Sequence, residues 1–471
     1  MLKYDTKVLI TNLPFKNKIT KEGRCVISLN STFETVRMPL SLAILAAELE
    51  KFSSQIKIID ANAEDISEEK FIKTVKDQNP DLIFINCSTP TIQQDISTAR
   101  MIKNSTNHII FFGQQAMALP INVLKEANGS IDIAVTGDIE ITARKILQAY
   151  VNKKDMSNIE GTVSSYNNII KKNKNGPPSS VTNLPRPSRH LLNNKLYKLP
   201  SGDIFTSVLV SRGCPYNCSF CNAPFYHGLK IRTRTPDQVV QEIEDTMLKY
   251  GIQWFLLASD LFTANKKWVR SFCKLMLTKK IKVKWMCNSR VDTVDYDLLK
   301  IMKEAGCWMI TFGIESGDQN ILDSIGKHIK LNQIEEIINH CNQLKIISHG
   351  SFIFGLPGET KESIQNTITF AKSIPLDLAF FYLATPYPGT ELFNLTKYKI
   401  TKKDWKHFNF NEYIIDSELS EEDILKFQKQ ATKEFYWRPS YIIRQIQRSL
   451  HNPLLTIKHG TFMIKKLLSH G

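Results

Sequence analysis

The segment SRGCPYNCSFC, residues 211–221, contains three of the nine cysteines of the chain. Cys214, Cys218 and Cys221 are spaced by three and then two residues, and they follow a predicted strand directly. Thiolates are soft ligands, so this spacing suits an iron–sulfur cluster or zinc. A [4Fe–4S] cluster on three thiolates leaves one iron open to a substrate or cofactor. Zinc needs a fourth Cys or His, for which His227 is the candidate.

The sequence around this segment alternates apolar runs with helical patterns over residues 204–390. The candidate strands are IFTSVLVS (204–211), WFLLAS (254–259), VKWMCNS (283–289), MITFGIES (309–316), SFIFGL (351–356) and AFFYLAT (379–385). A full eight-fold barrel usually needs about 250 residues, which is more than this region offers. We therefore expect a partial (β/α)6 barrel of the TIM-like type, with its active groups where the strands end.

Residues 1–150 show a second series of strands and helices. The candidate strands are VLITNL (8–13), IKIIDA (56–61), DLIFINCS (81–88), HIIFFG (108–113) and IDIAVTG (131–137). Five β–α units in series predict an α/β domain with a Rossmann-like, doubly wound parallel sheet and helices on both faces. Ligands of such sheets bind at the carboxyl ends of the strands.

The remaining regions connect and follow these two domains. Residues 151–203 are rich in Lys, Asn, Pro and Ser and are predicted to be a linker. Residues 391–471 are predicted to be mainly helical, and from Phe435 onward they carry six Lys or Arg residues and no acid. This basic, apolar pattern is typical of three arrangements: a helix on an anionic membrane, helices packed on the barrel, or a contact with an anionic substrate.

Composition sets the class of protein. The chain has 471 residues, of which 42% are hydrophobic, so it is long enough for several domains and is not disordered as a whole. The net charge of +15 favours anionic partners, or simply a solvated basic surface.

The other cysteines are scattered through apolar runs and do not suggest a disulfide framework. No apolar run reaches the ~18 residues of a membrane span. We expect a cytoplasmic protein, with membrane association as an open alternative.

The CxxxCxxC spacing resembles the signature of the radical S-adenosylmethionine (AdoMet) enzymes, and each later strand end also resembles that superfamily. The matching segments are SDLF (259–262), NSR (288–290), GIESG (313–317), FIFGLPGE (352–359) and TPYPGT (385–390). The resemblance implies that Cys214, Cys218 and Cys221 hold a [4Fe–4S] cluster. It further implies that AdoMet is bound by Phe220, Ser259, Asp260, Arg290, Glu315, Ile353, Gly355 and Tyr387. Relatives often carry an acid where Ser259 stands.

The first 150 residues resemble the cobalamin-binding domain that is fused to one large class of these enzymes. The matching segments are MPLSLA (38–43), FGQQAMALP (112–120) and GDIE (137–140). The residues implied to bind cobalamin are Ser88, Thr89, Gly113, Gln114, Gln115, Gly137 and Asp138. The motif Asp-x-His-x-x-Gly is absent, and Gln115 replaces the loop histidine. The lower axial position of cobalt is therefore expected to be vacant or held by water or a weak side-chain contact. The alternative is a scaffold domain that binds no corrinoid.

The resemblance implies a cobalamin-dependent radical AdoMet enzyme. Such an enzyme cleaves AdoMet reductively at the cluster to a 5′-deoxyadenosyl radical and methylates an unactivated carbon, or phosphorus, of its substrate. Two alternatives stay open: a radical rearrangement or cyclisation without methyl transfer, and a non-catalytic cofactor-binding protein. The electron donor is expected to be of the flavodoxin or ferredoxin type. The substrate is open, and no nucleic-acid partner is expected.

Overall fold

Two parallel sheets, each accompanied by helices, organise the chain. The computed structural model describes residues 3–16, 19–22, 26–27, 36–166 and 169–451. A seven-stranded sheet comes first along the chain and a six-stranded sheet follows it. This two-part α/β architecture is the one that the sequence predicts.

The first unit is a doubly wound sheet. The strands of this unit are β1 (Tyr4–Asn12), β2 (Ile19–Thr20), β3 (Val26–Ile27), β4 (Ser53–Asp60), β5 (Leu82–Cys87), β6 (His108–Gly113), β7 (Ile133–Val135), β8 (Thr162–Tyr166) and β9 (Ile169–Lys172). The strands β2 and β3 form a separate antiparallel pair, and the other seven form the sheet. Its helices are α1 (Leu40–Leu49), α2 (Glu68–Gln78), α3 (Ile92–Ile102), α4 (Gln114–Ala118), α5 (Pro120–Ala127) and α6 (Ile139–Val151). The sheet order is β4-β1-β5-β6-β7-β8-β9. The first five strands in this order pair in parallel with their neighbours. When the five parallel strands are numbered 1 to 5 along the chain, their order in the sheet is 2-1-3-4-5, as in flavodoxin-like sheets.

Both faces of this sheet are buried, as a continuous apolar strand such as β5 requires. Ile83 and Ile85 belong to one core, which also contains side chains of α2, α3 and α5. Phe84 points the other way, into a core that contains side chains of α1 and α6. The alternation explains why β5 is apolar at every position except Asn86, and it confirms the prediction of helices on both faces.

The segment predicted as a linker is more structured than its composition suggests. Its strands β8 and β9 extend the first sheet by antiparallel pairing, so residues 162–166 and 169–172 belong to the sheet. Farther along, Tyr197 is 1% exposed, and its hydroxyl donates to Asp60 Oδ2 at 3.1 Å. The exposed positions of these strands are Ile169, Lys171 and Lys172, and Ser165 and Tyr166 are half-buried. This largely polar composition resembles that of a linker.

The second unit is the predicted partial barrel. Its strands are β10 (Phe205–Leu209), β11 (Ser211–Arg212), β12 (Arg232–Thr233), β13 (Trp254–Ala258), β14 (Lys284–Ser289), β15 (Cys307–Glu315), β16 (Ile347–Phe354) and β17 (Leu378–Leu383). Its helices are α7 (Ala223–His227), α8 (Pro236–Tyr250), α9 (Lys266–Thr278), α10 (Tyr296–Glu304), α11 (Gln319–Ser324), α12 (Leu331–Gln343) and α13 (Lys361–Ser373). The six long strands lie side by side in chain order, each parallel to the next. The strands β11 and β12 form a small antiparallel ribbon beside the first barrel strand.

The barrel strands bury one face more deeply than the other. In β16, Phe352 and Phe354 are fully buried in the core that the outer helices share. Ser351 and Ile353 alternate with them, point to the barrel interior and are only half-buried. The same alternation holds in β17. Accessible space therefore remains inside the barrel toward the ends of these strands.

The carboxyl-terminal region closes one side of the barrel. Its helices are α14 (Glu391–Thr396), α15 (Glu421–Tyr436) and α16 (Pro439–His451). Between α14 and α15, Tyr413 is buried, and its hydroxyl donates to Gly355 O at 3.2 Å. None of the helices among the described residues is long and apolar enough to cross a membrane. The last part of the predicted basic tail, residues 452–471, lies outside the described residues.

Candidate active site

The predicted AdoMet residues lie at the carboxyl rim of the barrel, because parallel strands end on the same side. Asp260, just after β13, accepts a hydrogen bond from Gly213 N at 2.7 Å. This bond ties the loop before Cys214 to the next strand end. Asn288 at the end of β14 donates from Nδ2 to Ser259 O at 2.9 Å. Neighbouring strand ends are thus joined by hydrogen bonds around the rim.

The loop that carries the three cysteines is held at several points. Cys214 and Cys218 are each 8% exposed, and Cys221 is half-buried. The amide of Cys214 donates to Gly228 O at 3.1 Å, and the amide of Ser219 donates to Ile325 O at 3.0 Å. Gly213 has φ +100°, and a Cβ there would collide with Lys230 O. The backbone therefore presents the thiols from a fixed, largely water-excluded loop.

The chemistry of this donor set fits an iron–sulfur cluster better than zinc. His227, the fourth ligand that zinc would need, shares a hydrogen bond with Asp260, with Nδ1 and Oδ2 2.8 Å apart. Within the described ranges, no group of three His, Cys, Asp or Glu side chains could hold a single metal ion. A cubane needs no such group, because each thiolate binds a different iron. Three cysteines on one loop, none of them in a disulfide, therefore fit the cluster.

Two cations lie beside Cys218. Arg290 Nη1 is 3.8 Å from Cys218 Sγ, and the guanidinium lies 3.6 Å above the ring centroid of Tyr216. Burial raises the pKa of the Cys218 thiol, and the charges of Lys327 and Arg290 act against that rise. Positive charge at this sulfur favours the thiolate that an iron ligand must be. It also lowers the energy of adding an electron to a cluster at this loop.

The contacts of Arg290 differ from those that the resemblance implies. Its guanidinium donates to both carboxylate oxygens of Asp292, at 2.9 and 2.8 Å, and to Lys327 O at 2.6 Å. The donors predicted to meet the AdoMet carboxylate or ribose are therefore used within the protein. Arg290 instead holds the cysteine loop, the end of β14 and the loop after β15 together.

Glu315 also has a partner inside the protein. Its Oε1 accepts from Lys327 Nζ at 2.8 Å, and both side chains are about 95% buried, at 5% and 6% exposed. Glu315 has φ +70°, an unfavourable conformation for a residue with a side chain. A Cβ on Gly313 would collide with the Glu315 carboxylate and with Lys327. The GIESG motif thus makes room for a buried ion pair at the rim.

The other predicted AdoMet residues divide into two groups. Ser259 Oγ is buried at the rim without a hydrogen-bond partner among the described residues, and Ile353 faces the interior half-buried. Phe220 packs, partly buried, against the barrel core. Tyr387 is buried and donates to Phe408 O at 3.1 Å. Ser259 and Ile353 are therefore the two that the protein itself leaves open to a ligand.

Gly355 marks the turn after β16. Its φ is +84°, and a Cβ there would collide with the ring of Tyr413. The amides of Gly355 and Leu356 donate to Glu359 Oε2 at 2.6 and 3.0 Å. The turn is thus fixed by a buried carboxyl group and covered by the carboxyl-terminal region.

At the carboxyl rim of the first sheet, two features fit a bound corrinoid. Gln115 is 1% exposed, and its Oε1 has no hydrogen-bond partner among the described residues. A Cβ on Gly137 would meet open space. At Gly113, a Cβ would collide with Asn86 and with Cys87 O. The glycine serves the close approach of two strands.

The part of this rim near Ser88 and Thr89 is closed by polar contacts of the protein. Ser88 Oγ lies 2.8 Å from Thr91 Oγ1, and Thr89 is 1% exposed. Lys21 Nζ pairs with Asp95 at 2.8 Å, with both side chains 1% exposed. The buried ion pair fixes the loop after β1 against the start of α3.

The two rims face each other across direct contacts. Arg212, two residues before Cys214, pairs with Glu140 Oε1 at 2.5 Å and with Asp138 Oδ1 at 3.3 Å. Arg232 pairs with Asp138 Oδ2 at 2.6 Å. Burial acts to raise the pKa of Asp138, but the two arginines outweigh it and hold that pKa below its usual value. Asp138, predicted as a cobalamin residue, has both carboxylate oxygens engaged in this domain contact.

A further contact joins the loops that carry the predicted ligands. Tyr226 in α7, just after Cys221, donates to the backbone oxygen of Gln114 at 2.9 Å. The cysteine loop and the loop after β6 are therefore neighbours. Sequence reasoning missed Arg212, Arg232 and Tyr226, although Arg212 and Tyr226 lie within a few residues of the cysteine motif.

Comparisons with known proteins agree with this two-part site. A model of the Radical SAM superfamily matches residues 208–371, and a model of the B12 binding domain matches residues 28–147. An uncharacterized methyltransferase of Pyrococcus horikoshii is 31% identical over 443 residues, which cover 92% of this chain and 93% of the relative. An anaerobic magnesium-protoporphyrin IX monomethyl ester cyclase of Cereibacter sphaeroides is 28% identical over 414 residues, which cover 85% of this chain and 67% of the relative.

A solved structure shares the fold. It is that of the radical AdoMet methyltransferase TsrM from Kitasatospora setae, with cobalamin and a [4Fe–4S] cluster bound. The TM-score is 0.67 at 16% identity, and the match covers 84% of this chain and 78% of that chain. The chain belongs to the family of cobalamin-dependent radical AdoMet methyltransferases. The predicted fold class, the predicted class of enzyme and the predicted set of cofactors are thereby confirmed.

Proposed function

We propose that this enzyme methylates an unactivated carbon of a substrate bound between the two facing rims. The observation that carries the proposal is the contact between the cysteine loop and the loop after β6, where Tyr226 donates to Gln114 O at 2.9 Å. When bound, the cluster supplies the electron that splits AdoMet, and cobalamin supplies the methyl group. A substrate between the rims would be within reach of both.

The residues of the chain position these groups and exclude water. We propose that Cys214, Cys218 and Cys221 bind three irons, and that Arg290 and Lys327 neutralise part of the negative charge at Cys218. No side chain needs to act as an acid or base. Removing water matters because a carbon radical reacts with whatever donor lies nearest. The buried loop and the salt bridges of Arg212 and Arg232 support this closed arrangement.

For AdoMet, we propose contacts through Ser259 and Ile353, with Asp260 near the ammonium group and the backbone of Gly355 near adenine. The unpartnered, buried Ser259 Oγ supports the first contact. Phe220, Glu315 and Tyr387 stay in the proposed site as residues that shape it.

For cobalamin, we propose that Gln115 lies under the ring and that Gly137 leaves room for it. The buried, unpartnered Gln115 Oε1 supports a weak polar contact at the lower face rather than a strong ligand. Gly113, Ser88 and Thr89 would support this rim from behind.

The experiment that tests methylation compares two products of AdoMet. In anaerobic turnover with a methyl acceptor, 5′-deoxyadenosine and S-adenosylhomocysteine should form in equal amounts, because one AdoMet is cleaved and another gives its methyl group. Formation of 5′-deoxyadenosine without S-adenosylhomocysteine would favour the second candidate, a radical cyclisation. That candidate is supported by the 28% identity to a relative named as a cyclase.

We also propose a domain division for this function. Residues 1–150 would bind cobalamin, residues 204–390 would bind the cluster and AdoMet, and residues 151–203 would link them. Residues 391–471 would cover the barrel. The buried contact of Tyr413 with Gly355 supports that covering role.

The chain needs a reductant, and we propose a flavodoxin or ferredoxin type of donor in the cytoplasm. None of the eight cysteines among the described residues forms a disulfide, which suits a reducing compartment. Reduction of the cluster by purified flavodoxin, followed by its electron paramagnetic resonance signal, tests the donor. No signal with either donor type would contradict the proposal.

Contact with a membrane surface is a further proposal for the basic tail. In α16, Tyr441 packs on the barrel through its hydroxyl, which donates to Asp377 O at 3.0 Å, whereas Ile443 and Ile446 are 55% and 56% exposed. Co-sedimentation with anionic and neutral liposomes tests it, with a chain that ends at Lys433 as the control. Equal recovery of both forms in the supernatant at low salt would leave the helices simply packed.

A further inference from the structure

The barrel interior presents a wall of side chains that neither cofactor uses. Thr311 in β15, His349 in β16, and Phe380 and Tyr382 in β17 all lie on the inward-facing positions of their strands. The rings of His349 and Phe380 meet edge to face, with centroids 4.5 Å apart. Phe380 and Tyr382 stack with centroids 6.1 Å apart. One polar ring therefore lies beside an aromatic surface.

His349 has one nitrogen in use and one without a partner. It is 8% exposed; Nδ1 lies 3.1 Å from Thr311 Oγ1, and Nε2 has no hydrogen-bond partner among the described residues. Burial, together with the charge of Arg37, lowers the pKa of His349 to about 3, so the ring is neutral at neutral pH. When the Thr311 hydroxyl donates to Nδ1, Nε2 carries the proton and is a free donor.

Arg37 lies in the segment before α1, which reaches the barrel. The neighbouring Met38 Sδ accepts a hydrogen bond from Thr206 Oγ1 in β10 at 3.0 Å, so this segment is anchored on the barrel. Arg37 is exposed to solvent, yet burial lowers its pKa, and its charge acts on Tyr382 and His349. The guanidinium of Arg37 is therefore close enough to Tyr382 and His349 for its charge to act on both.

The guanidinium of Arg37 has no hydrogen-bond or ion-pair partner within the described part of the chain. The carboxylate whose charge acts on it, Glu22, is hydrogen-bonded to the amide and hydroxyl of Ser41 at 3.0 and 2.6 Å. A cation without a counter-ion attracts an anion, and Nε2 of His349 offers that anion a second, buried donor. Guanidinium groups suit planar or tetrahedral oxyanions through paired hydrogen bonds.

We propose that Arg37 and His349 bind an oxyanion of the substrate, a carboxylate or a phosphate ester. Phe380 and Tyr382 pack against an apolar or aromatic body attached to it. The substrate class is then an organic acid or phosphate ester whose body extends from the barrel interior toward the two rims. This assignment rests on the proposed function, because it places the substrate in the same site.

The test measures binding, so it does not depend on methyl transfer. The chain loaded with cluster and cobalamin is titrated calorimetrically, without reductant, with phenyl phosphate, benzoate and benzyl alcohol. We expect at least one anion to bind at least about tenfold more tightly than benzyl alcohol, as a charge-assisted hydrogen bond implies. Phenyl phosphate and benzoate distinguish the two oxyanions. Failure of the proposed methyl transfer would appear instead in the turnover experiment, as 5′-deoxyadenosine formed without S-adenosylhomocysteine.

Variants of Arg37 isolate the contribution of its guanidinium to anion binding. Arg37→Gln should raise the Kd of the bound anion about tenfold or more, whereas Arg37→Lys, which keeps the charge, should raise it less. Arg270→Gln, an arginine on α9 whose side chain is 40% exposed, is the matched control and should bind as the wild type does. Retained cobalamin in each variant shows that it folds. Equal Kd values for Arg37→Gln and the wild type, no binding of either anion, or equal binding of benzyl alcohol would overturn the proposal.

Discussion

Glu359 offers a pH-dependent test of the turn that closes the AdoMet side of the rim. The side chain is 5% exposed; Oε2 accepts from the amides of Gly355 and Leu356, and Oε1 has no partner among the described residues. Burial raises the pKa of this carboxyl group from 4.5 to about 8, against the effect of those two hydrogen bonds. The group is therefore mostly protonated in the folded chain at neutral pH and ionised in the unfolded chain.

The magnitude follows from proton linkage. Because the folded-state pKa is the higher one, the contribution of Glu359 to stability is fully present below pH 4.5 and is lost as the pH rises through 8. One pKa unit corresponds to ~1.4 kcal/mol, so the loss between pH 5 and pH 8 is about 3–4 kcal/mol. Glu359→Gln keeps an acceptor for both amides and does not titrate. The variant should gain this amount relative to the wild type over the same range.

The assay is the difference in thermal midpoint between the two proteins at fixed salt from pH 5 to pH 8. For a domain of this size the expected rise in that difference is about 10 °C. Other buried acids, such as Asp60, whose pKa burial raises to about 6, titrate in both proteins. Their effects on the thermal midpoint are therefore the same in both and drop out of the difference. Glu362→Gln, an exposed carboxylate nearby, controls for the change in charge. A difference that stays constant across the range would refute the reasoning.

Three more predictions concern the cofactors and the turn. Replacing Cys214, Cys218 and Cys221 together with Ala should abolish the brown colour and AdoMet cleavage; iron content that stays at the wild-type level would contradict this. Gly355→Ala should cost about 1–3 kcal/mol and weaken AdoMet binding, because its methyl group collides with Tyr413; an unchanged thermal midpoint would contradict it. The chain incubated with hydroxocobalamin and desalted should keep a stoichiometric corrinoid, and retention of only a trace would favour a scaffold domain.

Much of the fold is visible in the sequence because its strands are short, apolar and regularly spaced. The run from Leu82 to Cys87 is buried on both faces, and only a central parallel strand has that requirement. The edge strands β8 and β9 escaped prediction because they are polar, short and paired on the sheet border. The strand β8 pairs with β7, from which α6 separates it in the sequence, and β9 pairs with β8, so local composition does not reveal that this hairpin joins the sheet.

The candidate site also contains features that the sequence predicts and features that it does not. The three cysteines and the order of the rim segments follow from spacing and from parallel topology. The partners of Arg290 and Glu315 do not, because Lys327 lies in a loop with no pattern of its own and reaches both by tertiary packing. Arg37 and His349 are far apart in the sequence, and only the contact of the segment before α1 with the barrel brings the charge of Arg37 within reach of His349.

The measurement that tests the central claim most directly follows a labelled methyl group. The chain with cluster and cobalamin is reduced anaerobically and given AdoMet labelled in the methyl carbon, without substrate, and the corrinoid fraction is analysed by mass spectrometry. The account predicts label in that fraction and an equal amount of S-adenosylhomocysteine. An unlabelled corrinoid, with 5′-deoxyadenosine as the sole AdoMet product, would contradict it.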